Sequence, residues 1–358
     1  MPAVSVRRNR IPGVPLITMV VPKALTVLAI AMVTPAVTCC GPPALTTLAG
    51  PRAHAAEATY RLIQEPDAGY SPVVGLISGA ARSVRITMYE LTDPTAINAL
   101  IDAHNRGVDT RVILDAAFHG HQTNAETFQE LTDAGVGVKW APHGVIYHQK
   151  TITVDDTTSA VGTANLRPQY YSTDRDAWVL DTNPTDVAAI AATFDTDYTA
   201  PPSGRPLEAT PAPDLIWSPA ARAGFLQRID QAAHSIDVSS EELKDRAVLS
   251  ALDKAARRGV NCRIVLTEKP AWAHAVAEVS AAGCSVHLFP DTKTGLYMHE
   301  KILLTDNARL IIGSQNLTTT SLLENRELSV ALDTAIAPDL IAAVESTFDA
   351  DYAAASAQ

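Results

Sequence analysis

A chain of 358 residues with 47% apolar side chains has ample material for a buried core, as two small domains or one large one. Its 39 acidic residues against 28 basic ones give a formal charge of −11. That excess works against a non-specific nucleic-acid binder, whose affinity comes mainly from Lys and Arg neutralising phosphates.

In chain order, residues 1–56 read as a signal peptide, which carries targeting rather than folding information. Arg7, Arg8, Arg10 and Lys23 form a basic start, residues 24–37 are apolar, and Ala53-His54-Ala55-Ala56 fits a small-x-small cleavage site. The apolar run is shorter than the about 20 residues a membrane span needs. The expectation is therefore a secreted chain starting near Glu57. Lipoprotein anchoring at Cys39 or Cys40 is the lesser alternative, because Val37 and Thr38 match a lipid-attachment site only loosely. Cleavage removes Arg7, Arg8, Arg10, Lys23 and Arg52 and no acid, which takes the charge from −11 to about −16.

Beyond residue 56, short β-branched runs alternate with helical periodicity. Residues 83–91 read as a strand, and Ile97, Leu100, Ile101 and His104 recur at helical spacing. Gly107 closes that helix, where a left-handed residue is cheapest, and residues 110–115 form the next strand. His119-Gly120-His121 follows as a polar loop rather than a metal pair, since no carboxylate pattern accompanies it. Then come His148-Gln149-Lys150, Asp155, Gly162-Thr163-Ala164-Asn165 and Asp174-Arg175-Asp176. Residues 199–213 are too rich in proline for helix or central strand and read as a linker between a repeat at 57–198 and another at 214–358.

The second half restates the first. Glu90 and Glu242 are 152 residues apart, as are Gly107 and Gly259. His299-Glu300-Lys301, Asp306, Gly313-Ser314-Gln315-Asn316 and Asn325-Arg326-Glu327 repeat the earlier cluster at an offset of 151. Each half thus reads strand, helix, strand, helix, strand, motif-bearing hairpin and last helix. This predicts an α/β protein of two pseudo-symmetric repeats, each an α/β/α sandwich with a mixed, largely parallel sheet. Cys262 and Cys284 lie on two strands joined by one helix, and in an exported chain such a pair is expected to be bridged. His104, His234 and His274 fall in helical segments and carry no functional expectation. Glu90 and Glu242, at matched strand ends, either lie near a site or make structural hydrogen bonds. The loops at 119–121 and 268–272 follow parallel strand ends and are expected at a pocket rim. Tyr170-Tyr171, Trp272 and residues 292–297 read as core or solvent-exposed rather than as lipid contacts.

The repeated cluster carries the chemistry. Alternation along a strand points each histidine the same way as the lysine two positions on, and a hairpin through the aspartate returns the asparagine beside them. Two such clusters face to face present Lys150, Lys301, Asn165 and Asn316 to one phosphate, with His148 and His299 on either side. One imidazole attacks phosphorus to form a phosphohistidine while the other protonates the departing oxygen and then deprotonates the incoming water or alcohol. The lysines and amides stabilise the non-bridging oxygens, so no metal or cofactor is required.

This pattern, His-x-Lys, four residues, Asp, six residues, Gly-(Ser/Thr)-x-Asn, occurs twice and resembles the phospholipase D superfamily over essentially the whole mature chain. The resemblance implies an active site at the repeat interface, with Asp176 and Glu327 accepting from the far nitrogens of the imidazoles. It also implies structural roles for Asp155 and Asp306, His148 as nucleophile, and substrate contacts from Thr163 and Ser314. The expected activity is hydrolysis of a phosphatidylcholine-type lipid, at a membrane surface, to phosphatidate and free alcohol. The alternatives are a secreted nuclease, a phosphatidyltransferase of the cardiolipin synthase kind, and a non-enzymatic phospholipid binder. A monomer without a stable nucleic-acid complex is expected.

Overall fold

The computed structural model describes residues 59–201 and 204–357. The expected export segment, with Cys39 and Cys40, lies outside them. The first repeat runs β1 (Tyr60–Glu65), α1 (Ser71–Gly79), β2 (Ser83–Met88), α2 (Pro94–Asn105), β3 (Asp109–Leu114), α3 (Gly120–Asp133), β4 (Gly137–Trp140), β5 (Lys150–Val154), β6 (Thr158–Gly162), β7 (Asp174–Asp181) and α4 (Pro184–Thr199). The second runs β8 (Leu215–Ser218), α5 (Arg222–Gln231), β9 (Ser235–Ser240), α6 (Arg246–Arg257), β10 (Asn261–Thr267), α7 (Ala273–Ala282), β11 (Ser285–Phe289), β12 (Tyr297–Met298), β13 (Lys301–Thr305), β14 (Arg309–Gly313), α8 (Thr319–Leu323), β15 (Glu327–Asp333), α9 (Pro338–Ala354) and β16 (Ser356–Ala357).

Each repeat builds one mixed sheet, ordered β1-β7-β6-β5-β2-β3-β4 in the first and β16-β11-β10-β9-β13-β14-β15-β8 in the second. The two-repeat α/β architecture is the expected one. Parallel pairing is confined to β2-β3-β4 and β9-β10-β11 within the repeats. The motif hairpins and the acid-bearing strands β7 and β15 pair antiparallel, so the parallel part is smaller than the alternation of elements suggested. The opening strand and helix of each repeat, β1-α1 and β8-α5, carry too weak a period to be read. Helix α1 has Gly75 inside it and Gly79 at its end, and β8 is four residues long.

Local chemistry explains the ends of the matched helices. Asp93 and Asp245 cap α2 and α6 by accepting from backbone N–H groups of the first turn. Gly107 and Gly259 follow the two helices at φ +87° and +90°, a conformation that costs any residue with a Cβ. His234, expected in a helix, instead lies in the turn before β9, and Gly120 and His121 open α3 rather than lying in a loop. Helices α1 and α2 cover one sheet through Val73, Ile77, Ile97 and Leu100. Helices α5, α6 and α7 cover the other through Phe225, Ile229, Leu252 and Val279. Cys262 and Cys284, in this second core, form a disulfide.

A third core joins the repeats. Val161, Val179 and Ile190 pack with Ile302, Ile312, Leu328, Val330 and Ile341, so the two sheets share buried apolar residues. Two arginines cross the same boundary. Arg175 on β7 reaches Asp351 on α9 at 2.8 Å, and Arg326 reaches Asp197 on α4 at 2.7 Å. Backbone pairing crosses too: Met298 pairs with Arg175, and Tyr147 bridges Arg326. The segment before each motif histidine therefore docks on the acid-bearing segment of the other repeat.

Asp155 and Asp306 sit at the motif hairpins with φ +55°. Asp155 accepts from the N–H groups of Ala81, Arg82 and Ser83, and Asp306 from those of Ala233, His234 and Ser235. Burial nudges each carboxyl upward, but the backbone donors outweigh it and hold both below the ordinary aspartate value. A depressed carboxyl contributes stability that is complete above the unfolded value of about 4 and is lost as pH falls through the folded one. An Asp306→Ala protein is therefore expected to lose about 1 kcal/mol at neutral pH and to show a shallower further loss on acidification. Urea melts at about pH 6 and about pH 3 check both expectations.

Candidate active site

Between the repeats lies a cavity of about 710 Å³ lined by His148, His299, Asn165 and Asn316, together with Tyr89, Glu90, Glu241, Asp174 and Arg167. Lys150 opens β5 and Lys301 opens β13, His148 and His299 lie two residues before those strands, and the asparagines follow β6 and β14. The hairpins do return each asparagine to the cavity. The amide oxygens of Asn165 and Asn316 have no hydrogen-bond partner among the described residues.

The carboxylates reach across the repeat boundary. His148 Nδ1 lies 2.9 Å from Glu327 Oε2, and His299 Nδ1 lies 2.8 Å from Asp176 Oδ1. Tyr147 bridging Arg326 and Met298 pairing with Arg175 bring the next residue in each segment, a histidine and an acid, side by side. Each acid therefore supports the histidine of the other copy, although it lies 28 residues after the histidine of its own. With Nδ1 engaged, Nε2 of His148 remains for the cavity, and Nε2 of His299 lies 3.5 Å from Glu241 Oε2 on the cavity wall.

The acids are themselves held. Asp176 accepts from the Thr163 hydroxyl, and Glu327 from the Ser321 hydroxyl and, at 2.9 Å, from Asn325 Nδ2. This corrects the expectation that Thr163 and Ser314 contact substrate. Both are fully buried. The Thr163 hydroxyl donates to Asp176 and accepts from the Ala177 N–H, and the Ser314 hydroxyl accepts from the Leu328 N–H at 3.2 Å. Placed behind the imidazoles, these hydroxyls steady the acid strands.

The cations are buried lysines. Lys150 Nζ donates to the His148 carbonyl at 2.7 Å and lies 5.0 Å from the centre of the Tyr89 ring. Burial, with Lys301 close by, pushes Lys150 down to about 7. Lys301 Nζ donates to the His299 carbonyl and lies 2.9 Å from Glu241 Oε2. Burial by itself raises Glu327, but His148, Lys150 and the Ser321 hydroxyl overcome it and leave the carboxyl below its ordinary value. Asp174, Asp176 and His299 bring three potential metal-ligand atoms within 4.8 Å of one another. His299 already bonds Asp176 through Nδ1, so this cluster reads as an ion pair rather than a cation cage.

Other expected residues take less central places. Glu90 pairs with Arg167 at 2.7 Å and with His119 at 3.2 Å, while Glu242 pairs with Lys244 at 2.7 Å. His119 and Lys269 do lie on the rim, together with Tyr170 and Thr292, whereas His121 stacks on Trp140 away from it. Tyr171 stacks on Tyr70, and the Trp272 indole donates to the Thr267 carbonyl. Tyr89 and Glu241 were not anticipated. The 152-residue offset that pairs Glu90 with Glu242 also pairs these two, and that was the available signal.

Two copies of one α/β unit that bring a pair of imidazoles and a pair of asparagines to a single cavity, with a buried lysine bonded to the carbonyl of each histidine, define an enzyme of the phospholipase D class. A family model described as cardiolipin synthase, PLD-like domain, matches residues 73–198 and 225–352, once per repeat, and the chain belongs to that family within the phospholipase D superfamily. It is 26% identical over 340 residues to a cardiolipin synthase A of Pseudomonas fluorescens strain Pf-5, covering 82% of this chain and 68% of that protein. It is 25% identical to a major cardiolipin synthase of Bacillus subtilis strain 168, covering 71% and 60% respectively. The solved structure of a phosphatidylserine synthase from Haemophilus influenzae Rd KW20 superposes with a TM-score of 0.65 at 13% identity, over 84% of this chain and 87% of that one, which is a likeness of fold.

Proposed function

We propose that this chain is a phosphatidyltransferase of the cardiolipin synthase kind, moving a phosphatidyl group from one phosphatidylglycerol to the primary hydroxyl of another. The observation that carries this reading is the alignment through both repeats with a cardiolipin synthase, over 82% of the chain. It supports transfer better than hydrolysis of phosphatidylcholine, the first expectation from the sequence. The site suits either acceptor. One Nε2 attacks phosphorus, the other imidazole protonates the departing glycerol oxygen, and the same imidazole then takes the proton of the incoming hydroxyl. Lys150, Lys301, Asn165 and Asn316 carry the charge on the non-bridging oxygens, Asp176 and Glu327 orient the rings, and the substrate is met at a membrane surface. No helix among the described residues is long and apolar enough to cross a membrane.

The test is incubation of the full chain with phosphatidylglycerol vesicles in chelator, with products separated by mass spectrometry. Cardiolipin with an equivalent of glycerol is the expected result. Phosphatidate alone, from this lipid or from phosphatidylcholine, would make the protein a hydrolase. Intact lipid with cleavage of single-stranded DNA would make it a nuclease.

A further inference from the structure

The two halves of the site carry the same histidine, lysine and asparagine, but the residues around them differ: Asp176 is matched by Glu327, Asp174 by Asn325, and one further pair stands beside the imidazoles themselves. Tyr89 follows β2 and Glu241 follows β9, and the two are equivalent by the 152-residue offset. Tyr89 sets its ring edge-on to His148, with centroids 4.7 Å apart. Glu241 instead directs one oxygen, Oε2, at the second cluster: 2.9 Å from Lys301 Nζ, 3.1 Å from Asn316 Nδ2 and 3.5 Å from His299 Nε2. An aromatic ring stands beside one imidazole where a carboxylate stands beside the other.

We propose that this pair divides the labour between the histidines: Glu241 keeps a proton on His299 Nε2 and so makes His299 the acid, while Tyr89 supplies no such charge and leaves His148 neutral to attack. Glu241 and Tyr89 are positioning residues, acting through the imidazoles. The inference rests on the phosphoryl-transfer reading above and deepens it.

The groups facing each ring bear this out. His299 meets Asp176 and Asp174 from β7, Glu241 from beyond β9, and Lys301 from its own strand. His148 contacts one acid, Glu327 from β15, and feels Glu241 only without an ion-pair contact, against Lys150 and Lys301, with the uncharged Tyr89 beside it. An acid close to each nitrogen favours the imidazolium, and two nearby ammonium groups oppose it. Burial drives both rings toward the neutral form. For His148 the lysines reinforce that and the net movement is downward. For His299, Asp176 and Glu241 overcome burial and Lys301, and the net movement is upward.

In the first step the His148 Nε2 lone pair forms the N–P bond, the P–O bond to the leaving alcohol breaks, and the His299 Nε2 proton passes to that oxygen. In the second the acceptor hydroxyl oxygen bonds phosphorus, its proton returns to His299, and the N–P electron pair returns to His148. Glu241 ends each cycle beside the reprotonated ring.

Two readouts on the full chain test this. Imidazole nitrogen NMR needs no turnover: at neutral pH His299 is expected as imidazolium and His148 as neutral ring, with His299 titrating lower by about one pH unit in Glu241→Gln and partly restored in Glu241→Asp. The second readout traps the phosphohistidine formed from bis(4-nitrophenyl) phosphate under alkaline quench and maps it by peptide mass spectrometry. The adduct is expected on His148 in the wild type and at least partly on His299 in the exchange Tyr89→Glu/Glu241→Tyr. A His299 that titrates with or below His148, or that ignores Glu241→Gln, overturns the proposal, as does an adduct that stays wholly on His148 after the exchange. Asymmetric titration with no adduct and no nitrophenol release overturns the reaction class instead, and leaves the charge division standing.

Discussion

A His148→Asn protein is expected to fold as the wild type does and to lose at least about 10⁴-fold in turnover, because asparagine offers phosphorus no nitrogen lone pair with which to form the covalent intermediate. The cavity otherwise stays as it is: Lys150, Lys301, Asn165 and Asn316 come from the same strands and turns, and His299 keeps Asp176. Lipid affinity should therefore be largely retained, which separates an enzyme from a protein that merely holds phospholipid. Unchanged circular dichroism with turnover reduced only a few-fold would remove His148 from the chemistry. The crossed carboxylates add a second expectation at the same ring. Glu327, 179 residues from His148 in sequence, fixes its tautomer, so Glu327→Gln should cost turnover on the order of 10²-fold while leaving vesicle binding intact.

The second large effect is on stability. Arg326 is fully buried, and its guanidinium meets both oxygens of Asp197 at 2.7 and 2.8 Å, with neither side chain more than 1% exposed. Replacing it with methionine keeps much of the volume but leaves a carboxylate without its counter-charge in the interior. Breaking a buried pair from one side costs about 3–5 kcal/mol, whereas replacing both partners with apolar groups costs far less. Arg326→Met should lower stability by that amount, and Arg326→Met/Asp197→Leu should recover most of it. Burial already pushes Asp197 upward against the pull of Arg326, so losing the arginine raises it further. The folded variant then binds a proton that the unfolded chain releases, and its stability falls as pH rises through the carboxyl's folded value. Melts at about pH 5 and about pH 8 should show the deficit larger at the higher pH. Equal deficits would mean that Asp197 does not carry the charge.

Arg326 also explains why the site depends on the repeat boundary. It alternates along the chain with Glu327, so one side chain faces Asp197 on α4 while the next faces His148. Arg175 and Asp176 do the same toward Asp351 on α9 and His299. Each acid-bearing segment is thus clamped to the other repeat by the arginine that precedes the acid. Separated repeats would each keep a histidine and lose its carboxylate.

Much of this was legible in the chain because it is local or periodic. The helices closed by Gly107 and Gly259, the hairpins turning at Asp155 and Asp306, and the return of Asn165 and Asn316 to the lysine strands follow from spacing within about 20 residues, and the duplication follows from those short patterns recurring at an offset of 151 or 152. What local spacing could not supply was which copy serves which. The pairing of Met298 with Arg175 and of Tyr147 with Arg326 is a contact between remote segments, chosen by the shared core of Val179, Ile190, Leu328 and Ile341. That choice sent Asp176 and Glu327 to the opposite histidines, and buried Thr163 and Ser314 behind them.

The family, the two-repeat α/β plan and the identity of the paired imidazoles, lysines and asparagines are readable from the chain, because they rest on residue types at fixed short spacings repeated once. Tertiary structure alone decided the crossed carboxylates, the arginine clamps and the unequal neighbours Tyr89 and Glu241. Each of these depends on which strand ends meet across the interface, and that is set by packing two sheets together rather than by any run of residues along one of them.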